Sequence, residues 1–215
     1  MGKLLLPILL VTGLTTSTMS MASDDLSRAK VLAQAVGDLD KDGVNEKALV
    51  LDLGLLQEEG NDRFVLIYKQ ADDKWQLWKH LHGGVMGDTD GGMIGDPFYD
   101  LSISRGALVF SHFGGSSYKW NNIHRFRFNT VSNHFELIGA TVNYGVNMGC
   151  NGFELDYNLV THKAIYQTYN DYCTEDKANQ SYNLELKANE IHTLDGFLPG
   201  SVMVKIPNLD KTVYY

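Results

Sequence analysis

The stretch Ile123-His124-Arg125-Phe126-Arg127-Phe128, answered across residues 129–134 by Phe135-Glu136-Leu137-Ile138, decides the fold class. Aromatic and charged residues alternate here at period two, which puts one side of a strand in the core and the other in water. Working outward, the same signature recurs. Leu101-Ser102-Ile103 and Ala107-Leu108-Val109-Phe110 flank Ser104-Arg105-Gly106, a tight hairpin signal. Residues 157–160 and 164–169 flank Thr161-His162-Lys163, and residues 182–186 and 202–206 add strands near the C-terminus. Upstream, residues 47–53, 63–69 and 75–80 are short, rich in aliphatics and aromatics, and separated by polar clusters at 58–62 and 71–74. Many short strands at hairpin spacing predict a mainly β fold of antiparallel strands and hairpins, as a meander, a sandwich or a partial propeller-like sheet. Over residues 23–36, Leu26, Ala29, Leu32, Ala33 and Val36 follow a helical rhythm, with Ser23 or Asp25 to cap it, and predict a short N-terminal helix.

Between these strands, residues 83–97 hold six glycines and a proline, which rules out a regular element there. A long loop results, and long ordered loops often carry function.

The chain has 215 residues, 44% of them apolar, enough for one domain with a substantial core. Its start has the three-part layout of a secretory signal peptide: Lys3, an apolar run over 4–14, and the small-residue exit Ser20-Met21-Ala22. Cleavage after Ala22 is expected, leaving a single β-rich domain over 23–215. A retained anchor is the alternative, but an apolar run of about 11 residues falls short of the roughly 20 that span a bilayer. The mature protein is therefore expected to be periplasmic or secreted, without membrane insertion. Net charge is −8, and becomes −9 once Lys3 leaves, which disfavours nucleic acid as a partner. In an oxidising compartment Cys150 and Cys173 read as a disulfide worth about 3 kcal/mol, two buried free thiols being the alternative.

The clearest chemical signal is Gly37-Asp38-Leu39-Asp40-Lys41-Asp42-Gly43-Val44-Asn45-Glu46, directly ahead of Ala48-Leu49-Val50-Leu51. Ca²⁺ takes six to eight oxygens, and carboxylates at loop positions 1, 3 and 5 with glycine at 6 supply half of that shell. An EF-hand is excluded, because position 12 is Leu49 and a strand follows in place of a helix. Four carboxylates in one turn repel one another unless a cation sits among them; a solvated acidic turn is the alternative.

Over residues 36–52 this combination resembles the calcium loop of the FG-GAP and VCBS repeats of integrin α-type propellers, D-x-D-x-D-G-x-x-D/E leading into a strand. The resemblance implies Asp38, Asp40, Asp42 and Glu46 as side-chain ligands and Val44 through its carbonyl. Gly95-Asp96-Pro97-Phe98, residues 111–117 with Trp120, Phe126-Arg127-Phe128 and residues 135–139 together resemble a family of exported bacterial proteins of uncharacterised function. That likeness implies compartment and single-domain architecture.

Other constellations point less sharply. His112 with Ser116 suggests a hydrolase dyad, but Gly114-Gly115-Ser116-Ser117-Tyr118 lacks the second glycine of a nucleophile elbow. His80, His82 and His112 suggest a three-histidine zinc site. Asp88, Asp90 and Asp96 suggest a second ion or sugar site, against plain turn chemistry. Tyr118, Tyr144 and the three tryptophans suggest a carbohydrate or peptide platform, against core packing. The reading that combines these is an exported, calcium-binding, non-enzymatic β module that binds a protein, peptide or carbohydrate or associates with the envelope. A hydrolase of envelope polymer, using His112 and the loop acids, is the second reading.

Overall fold

Turn chemistry sets the strand pairing. In the computed structural model, which describes residues 29–54, 63–146, 152–169, 179–187 and 190–215, Arg105 and Gly106 both take positive φ (53° and 76°). That is the two-residue turn whose twist suits a hairpin, and it joins β5 (Phe98–Ser104) to β6 (Ala107–Gly115). Asp72 and Asp73 (φ 47° and 59°) do the same between β3 (Arg63–Ala71) and β4 (Lys74–Leu81). The four-residue connection from β7 (Tyr118–Asn129) to β8 (His134–Val146) is capped by Asn129, whose Oδ1 accepts the Val131 N–H at 2.9 Å. Asn158 repeats this between β9 (Gly152–Asn158) and β10 (Lys163–Tyr169), accepting the Val160 and Thr161 N–H groups. β1 (Lys30–Gly37) and β2 (Glu46–Asp52) complete an antiparallel four-stranded sheet in the order β1-β2-β3-β4. A seven-stranded sheet runs from β11 (Gln180–Glu185) through β10, β9, β8, β7 and β6 to β5, and β12 (Met203–Ile206) pairs with β13 (Lys211–Tyr214).

The mainly antiparallel β expectation holds. Its helical exception does not: residues 30–36 form β1, and the rest of the proposed helix lies mostly outside the described residues. The physical reason is a bulge between Val31 and Ala33 in the pairing with β2. An extra residue in a strand breaks the alternation, so Leu32, Ala33 and Ala35 all pack on the core and their spacing imitates a helical face. The signal segment and both cysteines also lie outside the described residues. Among the described residues no helix is long and apolar enough to cross a membrane.

One apolar cluster spans both sheets. Ala48, Val50, Val65 and Ile67 come from the four-stranded sheet, and Leu108, Phe110, Phe126, Ala140 and Leu155 from the inner face of the other. Trp78 enters at a bulge in β4 and meets Phe128 and Phe135 at centroid distances of 4.6 and 5.7 Å. The C-terminal segment covers another part of that inner face, through Phe197 against His124 and Phe126 and through Tyr215 against Tyr157.

The sheets approach closely at Gly37. A Cβ there would lie 2.6 Å from Cγ2 of Ile103 on β5, so only glycine fits without displacement. Gly37→Val is expected to destabilise the protein by about 2 kcal/mol through overpacking, read as a lowered urea midpoint with an unchanged slope.

Candidate functional site

Gly37 and Glu46 face each other in the β1–β2 register, so the acidic loop is the hairpin connection between those strands. Lys41 takes φ 64° and Gly43 φ 90°, turning the backbone twice. The loop holds its shape through its own acids. Gly43 N–H donates to Asp38 Oδ2 at 3.1 Å, Val44 N–H to Asp42 Oδ1 at 2.8 Å, and Asp42 N–H to Asp40 Oδ1 at 3.3 Å. It also lies against the β5–β6 turn, where a Cβ on Gly106 would stand 3.4 Å from the Asp38 carbonyl oxygen.

Three of the proposed ligands converge: Asp38, Asp40 and Asp42 each offer a carboxylate oxygen, all within 4.8 Å of one another. Asp38 Oδ1 is buried and has no hydrogen-bond partner. Glu46 plays a different part from the one expected. It is 1% exposed, its Oε2 accepts the Leu39 N–H at 2.7 Å, and it lies outside the converging trio while braced beside it. Burial raises the Glu46 pKa, the Leu39 N–H opposes that, and Asp40 and Asp42 add to it. Val44 is an exposed loop residue whose N–H serves Asp42.

Lys69 joins the trio although no sequence pattern announced it. Its Nζ is ion-paired with Asp40 Oδ2 and stands 4.1 Å from the centroid of the Trp78 ring. Burial lowers its pKa, but Asp40, Glu46 and Asp42 together raise it above the ordinary lysine value.

The second proposed cluster disperses. Asp96 grips Arg63 with both oxygens, at 2.7 and 2.6 Å, and takes the Phe98 N–H at 3.0 Å. Burial raises the Asp96 pKa, but the Arg63 hydrogen bonds outweigh it and hold the carboxyl below the usual range. Asp90 accepts the Gly87 N–H at 2.8 Å, plain turn chemistry, and Asp88 is exposed nearby. Ser116 is exposed in the β6–β7 turn, whereas His112 is fully buried, and the two share no hydrogen bond. The zinc trio fails likewise. His80 on β4 and His82 just past its end adjoin each other, while His112 sits on β6 against Phe98 and the Met86 N–H.

What the loop over 83–97 does is join the sheets. Arg63, 3% exposed, donates from Nη1 to the Met86 carbonyl at 3.0 Å and from Nε and Nη2 to Asp52 at 3.2 and 3.1 Å. On the other side His112 Nε2 accepts the Met86 N–H at 3.2 Å. One peptide group on each side of Met86 is thus held by a different sheet. The register offers a signal for Arg63, since it pairs with Asp52 directly across β2 and β3, an opposite-charge cross-strand pair.

Of the aromatic platform, Trp75 is exposed beneath Lys47 Nζ, 4.5 Å from its ring centroid, and Trp78 is packed inward. Tyr118 and Tyr144 stack at 5.5 Å. No protein-family model matches this chain, and no curated protein is detectably similar to it in sequence.

Burial, then the Arg63 charge, pushes His112 down to about 4, with Asp96 opposing; burial, then His112 and Arg125, pushes His124 down to about 3. Both rings are neutral in the folded protein at neutral pH, and protonate near 6.5 when the chain unfolds. The unfolded chain therefore binds more protons between these values, so stability is full above about pH 6.5 and drains as pH falls. His112 alone accounts for about 3 kcal/mol across this window. Urea unfolding at about pH 7.5 and about pH 4.5 is expected to show this loss, and His124→Phe to shrink it, because neither ring nitrogen of His124 has a hydrogen-bond partner.

Proposed function

We propose that this protein is an exported calcium-binding β module that works by binding, with the β1–β2 hairpin loop as its ion site. The observation that carries the reading is the convergence of Asp38, Asp40 and Asp42, three hard oxygen donors within 4.8 Å of one another. A buried, unpartnered Asp38 oxygen beside them favours an ion, since a charged atom out of water needs compensation. Lys69 offsets one of the four carboxylate charges of the loop and leaves the remainder for a divalent cation. Oxygen-only donors in an irregular loop suit Ca²⁺ better than Mg²⁺, which demands near-octahedral geometry.

The ion's role in this reading is structural. It joins the turn between β1 and β2 and so steadies the strand that meets β5 at Gly37. Export rests on the segment 1–22, with its cation, apolar run and small-residue exit. The binding partner is a protein, peptide or carbohydrate. The dispersal of His112, Ser116 and the loop acids into separate structural roles favours binding over hydrolysis.

Calorimetry on metal-stripped protein is expected to give a Ca²⁺ isotherm, with stabilisation of about 3 kcal/mol at a hundredfold excess over Kd. Asp42→Asn should abolish the heat, and Lys69→Met should tighten binding by removing the competing cation. Absence of both heat and thermal shift at about 1 mM Ca²⁺ overturns the site. The exported protein is expected to begin at Ser23 by mass spectrometry, and an intact Met1 overturns export.

A further inference from the structure

The far side of the four-stranded sheet carries a pair of histidines that the calcium reading does not use. His80 lies opposite Leu66 in the β3–β4 register, and His82, one residue past the end of β4, brings its ring against the same Phe64. Both are exposed, and their ring centroids stand 4.7 Å apart with the planes at 47°. The fully buried Phe64 ring supports both, edge-on to His80 at 5.0 Å and tilted against His82 at 6.0 Å. No hydrogen bond engages a ring nitrogen of either among the described residues.

We infer that His80 and His82 form an open, two-imidazole site for a divalent transition ion of the Zn²⁺ or Cu²⁺ class. The geometry follows from bond lengths. With metal–nitrogen bonds of about 2.0–2.1 Å, each ring centroid lies roughly 3.2 Å from the ion, and a tetrahedral angle then separates the centroids by about 5 Å. The observed 4.7 Å meets that distance. The tilt matters too, because flat-stacked rings would send their nitrogens outward in parallel, whereas inclined rings can converge on one point.

Electrostatics agree with the geometry. Asp195 is fixed beside the pair, its Oδ1 accepting the His82 backbone N–H at 2.8 Å, and its charge favours a cation there. Two protein ligands leave the remaining positions to water, so the site is for capture and exchange rather than for holding the fold. Imidazole nitrogen selects this ion class, and carboxylate oxygen selects Ca²⁺, so the two sites are independent.

The test is a Zn²⁺ titration of the untagged mature protein against a chromogenic chelator. The parent is expected to bind one equivalent, and His80→Ala and His82→Ala each to weaken it by roughly 100-fold, since the second imidazole acts at high effective concentration. His134→Ala, an exposed histidine elsewhere, is expected to leave the affinity within twofold. Lowering the pH from about 7.5 to about 5.5 should weaken binding as protons compete for the rings. With Cu²⁺, electron paramagnetic resonance is expected to report two nitrogen donors, falling to one in each alanine variant. Failure to bind Zn²⁺ at about 100 µM overturns the site, as do alanine variants that match the parent or a His134→Ala loss equal to theirs. Unchanged circular dichroism certifies that each variant is folded.

Discussion

Met86 is held at both ends, and the relation of the two sheets depends on it. Its carbonyl accepts from Arg63 on one sheet and its N–H donates to His112 on the other. Arg63 sits at 3% exposure with five hydrogen bonds, among the described residues, to Asp52, Asp96 and the Met86 carbonyl. A buried guanidinium is tolerable only when its donors are answered, because desolvation otherwise costs several kcal/mol. The loop over 83–97 is therefore tied to both sheets at Met86 and to Arg63 again at Asp96. Its glycines serve close approach: a Cβ on Gly83 would stand 2.2 Å from the Leu194 carbonyl oxygen, where the C-terminal segment crosses.

The same clamp explains the histidine at its centre. His112 must accept the Met86 N–H through Nε2, so that nitrogen must be unprotonated. Burial and the nearby Arg63 charge enforce the neutral form. A proton on His112 would break the contact and set two cations side by side in a low-dielectric interior. Acid sensitivity is thus a consequence of how the sheets are joined.

The acidic loop stands on the other side of the four-stranded sheet's approach to β5. Its position as a hairpin connection ties the shape of the acidic loop to sheet registration, since Gly37 and Glu46 are directly paired at its base. Lys69 and Trp78 extend it into the core: Lys69 reaches from Asp40 to the Trp78 ring, and Trp78 in turn packs on Phe128 across the sheets. Charge in the loop and packing in the core are therefore neighbours in one chain of contacts.

The strands and most hairpins were legible from residue pattern, because period-two alternation and turn residues such as Arg105-Gly106 are local properties. The convergence of Asp38, Asp40 and Asp42 was equally local, since spacing within one short loop constrains where their side chains can reach. What lay beyond the sequence was contact between distant segments. β1 read as a helix because a bulge scrambled its alternation, and only pairing with β2 decides the matter. Asp96 and His112 read as chemistry, yet Arg63 and Met86, 33 and 26 residues away, turn them into structural clamps. His80 and its neighbour His82 parted from His112 because β4 and β6 belong to different sheets. Sequence alone determined the class of most strands and the acidic loop, where the forces act between near neighbours along the chain. Tertiary structure decided which charges meet, because a side chain's partner depends on how the sheets face each other and not on its own spacing.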